Sequence, residues 1–389
     1  DSLPSRGLGD VYKRQDPSGA VADRCSVAVL IYFCSSSHGF GHAARDAAVL
    51  QQLRRLRPEW TLVMSSGLPS PVLKLLLGDA AIEQRSCQWD VGMVQADALG
   101  VDCAATLRAL DELEQRLPAL IEAEALWLAS QGQPVLIIGD IPPAAAALAQ
   151  RLDAPLVWMS NFGWDDIYRP LGSAFQGWAD AAAEAYRCGD LLLRCPFDLA
   201  MHWGLPEQRL GLVCASPRPI PADLEACLDA QDAPLVLVGF GGLGLSLSRD
   251  VFQLWPNHHF LLPASADASQ APELAALPNL TFLPDGLRPV DVLGRCSRFL
   301  GKPGFSSFCE AMAQGVGMHV VERSGFAEAS ALMDGLRRHG QHRCLSRQEL
   351  DTGAWQLDQP LLAPSEAPLS ASGAEEAALA LVGWVASRF

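Results

Sequence analysis

The chain has 389 residues, 49% apolar, 19% charged and 7% aromatic, with a formal net charge of −15. That length predicts two domains rather than one core, and the acidic balance excludes a global electrostatic case for nucleic acid or an anionic membrane surface. No apolar run reaches the roughly 20 residues that a membrane-spanning helix needs, so no membrane span is expected.

The first 24 residues are polar, punctuated by Gly and Pro, and lack an amphipathic period. Residues 1–24 read as a disordered tail or a non-native leader and are left out of the fold. The eleven cysteines are scattered without a C-x-x-C pair. They predict small buried apolar side chains in a reduced, cytoplasmic setting.

From Ser26 onward short apolar runs alternate with amphipathic segments. Strands are predicted at Ser26–Cys34, Thr61–Met64, Val135–Gly139, Leu156–Met159 and Leu191–Leu193, with helical stretches between them, the first over His42–Leu56. This alternation predicts a parallel sheet covered on both faces. The proline-rich, acidic stretch SPRPIPADLEACLDAQD marks a linker at 216–232, separating a domain at 25–215 from one at 233–373. Strands then recur at Leu235–Gly239, His259–Leu262, Leu280–Leu283, Phe299–Gly301 and Met318–Val321. An alanine-rich amphipathic helix closes the chain over 374–389. The expected fold class is α/β, two Rossmann-like domains facing each other across a ligand cleft.

Three loops at strand ends carry the chemistry. The first, SSSHGFGHAARD, places Gly39 and Gly41 where backbone must approach a ligand closely and offers His38 and His42 as general bases near neutral pH. The two glycines disfavour a helix through both histidines, and HxxxH lacks the glutamate of HExxH, so no metal is expected. The plainer alternative is that the histidines only hydrogen-bond the loop. Arg45 steers an anion or pairs with Asp46. The second loop, LGKPGFSSFCEA, ends a strand, turns at Gly301–Gly304 and enters a helix that Ser306 or Ser307 can cap. Its free amides and dipole form a cradle for a diphosphate, and Glu310 lies one turn in, within reach of ribose hydroxyls. GKP departs from the P-loop spacing. The third loop, GFGGLG with Gly241 and Gly242, faces the same cleft. No acidic residue ends the next strand, so NAD is disfavoured.

Together these stretches resemble a GT-B glycosyltransferase. They are more closely similar to the N-terminal, non-kinase half of plant-type L-arabinokinases and their stand-alone bacterial relatives. The matching stretches are HGFGHAAR, VQADALGVD, GDIPPAAA, SNFGWDDIY, GFGG, LGKPGFSSFCEA and FAEASALM, in order over about 300 residues. The resemblance covers the non-kinase half, so kinase activity is not carried over. It implies His42 as the base, with His38 as second candidate. Gly304, Ser306, Ser307 and Glu310 would hold the donor's diphosphate and ribose, and Glu328 the donor-sugar hydroxyls. Asp97, Asn161, Trp164 and Asp165 are candidates for the acceptor side, with Trp164 as a sugar platform. Their alternative is helix caps and a core tryptophan. Asp140 closes a strand and equally suits a helix cap.

The function this implies is an inverting, metal-independent transfer from a nucleotide-sugar, UDP-linked by preference, to a hydroxyl of a small molecule or saccharide, with no cofactor. Two alternatives are a non-catalytic nucleotide-sugar sensor or partner module, and a sugar-nucleotide epimerase or hydrolase on the same fold.

Overall fold

The computed structural model describes residues 28–94, 100–240, 247–263, 271–323 and 326–389. Seven parallel strands make the first sheet: β1 (Leu30–Ser35), β2 (Thr61–Ser66), β3 (Glu83–Ser86), β4 (Val135–Asp140), β5 (Leu156–Ser160), β6 (Leu191–Arg194) and β7 (Glu207–Arg209), in spatial order 3-2-1-4-5-6-7. Six more make the second: β8 (Leu235–Gly239), β9 (His259–Leu262), β10 (Leu280–Phe282), β11 (Arg298–Gly301), β12 (Gly317–Val321) and β13 (His342–Leu345), in order 10-9-8-11-12-13.

All six residues of β1 are buried. A strand covered on both faces has no polar side to show, which is why LIYFCS reads as one apolar run rather than an alternation. Ile31 and Phe33 join a core with the helix Gly41–Leu56, while Leu30, Tyr32 and Cys34 face a second core rich in tryptophan. The sequence does not predict β3, β7 or β13, whose segments EQRS, EQR and HRCL are short and polar. Each lies at a sheet edge, where one side of the strand meets solvent and an apolar run is not required.

In each sheet the strand order reverses once, between β1 and β4 and between β8 and β11. Chain segments leaving such neighbours diverge to opposite faces and open a crevice at the strands' carboxyl ends. The histidine loop follows β1 and the turn Lys302–Gly304 follows β11, so both crevices face the space between the domains.

Contacts across that space are polar and apolar. Phe326 of the second domain inserts beside Phe162 and His38, with ring centroids 6.1 and 5.6 Å away. The Arg218 guanidinium donates to the carbonyls of Leu75 and Leu76, both at 2.8 Å, and its backbone N–H to Asp291 of the second domain. The last helix, Gly373–Arg388, returns to the first domain and packs on the helix Gly41–Leu56. The Gly211 N–H donates to Glu376 at 2.8 Å in that join. No described helix is long and apolar enough to cross a membrane.

Candidate active site

Between the domains lies a cavity of about 930 Å³, a size that suits a nucleotide-sugar plus a small acceptor. Its first-domain wall carries His38, Phe40 and His42 together with Leu68, Val72, Leu75, Leu76, Val91 and Met93. The second-domain wall carries Lys302, Gly304, Ser306, Ser307, Glu310 and Glu328.

His42 enters the helix Gly41–Leu56 in its first turn, and the loop before it bends through Gly39 at φ +70°. A side chain at that angle would be strained. The His42 Nδ1 lies 2.9 Å from Asp140 Oδ1. Ser35, the last residue of β1, pairs in register with Asp140, the last of β4, so the carboxylate stands beside the histidine loop by sheet geometry alone. Arg45, one turn beyond His42, grips the same carboxylate: Nε donates to Oδ2 at 2.5 Å and Nη2 donates to Oδ1. Asp140 and Arg45 are 0% and 1% exposed. Burial alone would raise the Asp140 pKa, but the Arg45 guanidinium, and then His42, hold it well below the usual carboxylate range. Such a pair persists in the interior only because each charge meets its opposite with several hydrogen bonds.

Arg45 therefore pairs with Asp140 rather than with Asp46, its neighbour in sequence. Residues adjacent on a helix point to different sides. Asp46 is fully buried with neither carboxylate oxygen hydrogen-bonded. Burial and then the Asp140 charge push its pKa well above the ordinary carboxylate range. Arg45 also donates through Nη1 to Asn161 Oδ1 at 2.6 Å and lies over the Phe305 ring at 4.6 Å. Asn161 in turn donates to Glu328 Oε1 at 2.9 Å.

His38 is half-buried. Its Nδ1 accepts the Met93 N–H at 3.2 Å, and its ring meets Trp164 edge-on at 5.4 Å. Burial, then His42, Arg323 and Lys302, lower its pKa to about 3. This ring is neutral at any ordinary pH, with one nitrogen already committed to the loop.

On the second-domain wall the helix Phe305–Ala313 starts after Gly304 without a side-chain cap. The serines thus differ from their expected capping role: Ser306 Oγ donates across the cleft to the Gly41 carbonyl at 2.9 Å. The uncapped amides leave the positive end of the helix to the cavity, beside Lys302. Glu310 is half-buried one turn in. Burial lifts its pKa to about 8, with Arg288 pulling it down and Asp291 adding to the rise.

Three acceptor-side candidates, Trp164, Asp165 and Asn161, do not line the cavity. Trp164 is 1% exposed, its Nε1 donates to Asp90 at 2.9 Å and its ring stacks on Tyr168; it is a core residue rather than a sugar platform. Asp165 is buried beneath Trp203, whose Nε1 reaches it at 3.3 Å, and burial followed by Asp166 raises its pKa to about 6. Asn161 serves the polar chain rather than an open acceptor surface. Asp97, Gly241 and Gly242 lie outside the described residues. Sequence reasoning passed over Asp90, which holds Trp164 and accepts the Ser37 N–H at 3.4 Å. It also left Asp140 as a possible cap, although a carboxylate ending the strand next to β1 in this strand order is the signal that finds it.

Comparison with known proteins follows this geometry. No protein-family model matches the chain. L-arabinokinase of Arabidopsis thaliana is 26% identical over 348 residues, which are 88% of this chain and 33% of that protein. The chain thus spans about a third of that relative's length. CalG4, the calicheamicin glycosyltransferase, superposes with a TM-score of 0.62 at 17% identity, covering 92% of this chain and 98% of its own. Phytolacca americana UGT2, solved with UDP-2-fluoro-glucose and pterostilbene, superposes at 0.58 and 13% identity, covering 93% and 94%. The chain has the two-domain GT-B fold of the UDP-glycosyltransferases and a weak sequence similarity to L-arabinokinase.

Proposed function

We propose that the chain is a glycosyltransferase that moves a sugar from a UDP-linked donor to a hydroxyl on an acceptor with an apolar body. The observation that carries this reading is the His42–Asp140 pair on one wall of the cleft, opposite an uncapped helix N-terminus on the other. A solved neighbour of the same fold holds UDP-2-fluoro-glucose and pterostilbene, which supports a UDP-linked donor and an acceptor with an apolar body. The acceptor class follows from the first-domain wall, where Leu68, Val72, Leu75, Leu76, Val91 and Met93 offer few partners to a saccharide's hydroxyls.

In this reading Asp140 takes the Nδ1–H of His42, which leaves the Nε2 lone pair free for the acceptor hydroxyl. As that proton passes to Nε2, the acceptor oxygen bonds to the anomeric carbon from the side opposite the diphosphate. The anomeric carbon–phosphate oxygen bond breaks, and UDP leaves with the electron pair. The anomeric configuration inverts. Helix amides at 305–307 and the Lys302 ammonium take up the charge developing on the diphosphate. Glu310 accepts from the ribose and Glu328 from the donor sugar.

A second reading has one specific observation behind it. Arg45 already neutralises Asp140, and its Nη2 lies 3.0 Å from His42 Nδ1, so it competes as a donor for the nitrogen whose N–H Asp140 should accept. That arrangement suits a module that binds a nucleotide-sugar without turning it over. Mixing the chain with UDP-sugars and phenolic acceptors, and assaying released UDP, separates the readings: the transferase releases UDP only when an acceptor is present.

A further inference from the structure

Asn161 leaves the end of β5 and touches both halves of the cleft. Its Oδ1 accepts from Arg45 and its Nδ2 donates to Glu328, at 2.6 and 2.9 Å. The amide orientation is fixed by its partners, since a guanidinium only donates and a carboxylate only accepts. Asn161 is fully buried and Glu328 is 9% exposed, so neither hydrogen bond is freely exchanged with water.

We propose that Asn161 is the interdomain positioning residue of this cleft. It holds Glu328 of the second domain and the Arg45–Asp140–His42 cluster of the first in one closed arrangement, so that closing the domains and setting the base are a single event. The role of Glu328 toward the sugar rests on the donor reading above. A second hydrogen bond across the cleft, Ser306 to the Gly41 carbonyl, ends on backbone. The Asn161 chain ends on the carboxylate that orients His42. A donor sugar that engages Glu328 then reports its presence to the base through three side chains.

Two substitutions separate the ends of this chain. Asn161→Asp keeps an acceptor for Arg45 but sets a carboxylate against Glu328, and like charges in a buried contact repel strongly. Adding Glu328→Gln to it restores complementarity, because the new amide can donate to the new carboxylate.

Small-angle scattering of the unliganded chain measures closure, and calorimetry with UDP and with UDP-glucose isolates the sugar's contribution. Asn161→Asp should expand the particle. It should bind UDP within about twofold of the parent but lose roughly tenfold in UDP-glucose affinity, the scale of one buried charged hydrogen bond. The double variant should return to the parent's scattering, which a merely structural defect would not do, while its UDP-glucose affinity stays lowered because Glu328 itself meets the sugar. Unchanged scattering with unchanged UDP-glucose affinity in Asn161→Asp overturns the proposal, as does failure of Glu328→Gln to restore the parent's scattering. A parent chain that binds neither nucleotide contradicts the donor reading instead, and scattering and rescue still decide on the bridge.

Discussion

His42 and Asp140, 98 positions apart in sequence, meet at 2.9 Å, and the carboxylate that joins them is also clasped by Arg45. His42 is thereby set on a buried ion pair. Removing one partner of such a pair is costlier than removing both. Asp140→Ala should destabilise the fold by about 3–5 kcal/mol, because the Arg45 charge stays buried without its partner. Urea denaturation should show the double variant Asp140→Leu with Arg45→Met losing less than Asp140→Ala alone.

In the proposed donor site Glu310 introduces a pH dependence. With a pKa near 8 in the free protein it is protonated at neutral pH, whereas hydrogen bonds from ribose hydroxyls favour the carboxylate. UDP binding should therefore release a proton, and affinity should rise with pH up to about 8 and level off above it. Calorimetry in two buffers of different ionisation enthalpy measures the release, and Glu310→Gln should abolish it. The sign for stability is opposite. A carboxyl raised from its ordinary 4.5 contributes stability that is complete below that value and is lost as pH rises toward 8.

His38 behaves as the mirror case. Its pKa of about 3 lies below the ordinary 6.5, so its contribution is complete above 6.5 and lost as pH falls toward 3. Its NMR ring resonances should not titrate between pH 8 and 5. His38→Gln should reduce the acid-induced loss of stability over that lower window.

Gly92 determines whether His38 has room. It sits at φ +67°, and a β-carbon there would lie 2.5 Å from His38 Nδ1, where the imidazole accepts the Met93 N–H. Gly92→Ala should cost about 1–3 kcal/mol in thermal or chemical denaturation from backbone strain and displacement of the ring.

Much of this arrangement was legible in the sequence. The two α/β domains follow from apolar runs separated by helical periods, and the donor helix from a turn after a strand. What escaped depended on which strands become neighbours. Asp140 could be assigned to His42 only once β4 was known to lie against β1, since nothing local in GDIPP distinguishes a cap from a partner. Trp164 misled because NFGWDD looks polar, while its indole faces inward to Asp90 and Tyr168. Arg45 misled for a different reason: its nearest acid in sequence, Asp46, points away from it on the helix. The sequence offers Ser306 or Ser307 as the cap of their own helix, whereas Ser306 donates to the opposite domain, a choice set by how closely the walls approach.

The central claim is that His42 acts as the base for sugar transfer in this cleft. The most direct test is UDP release from a panel of UDP-sugars with a phenolic acceptor present, comparing the parent chain with His42→Ala at equal donor occupancy. Acceptor-dependent release should fall by about 10²–10⁴-fold in His42→Ala while UDP binding is kept. Equal release from both proteins, or donor binding with no release from the parent under any acceptor, would contradict it.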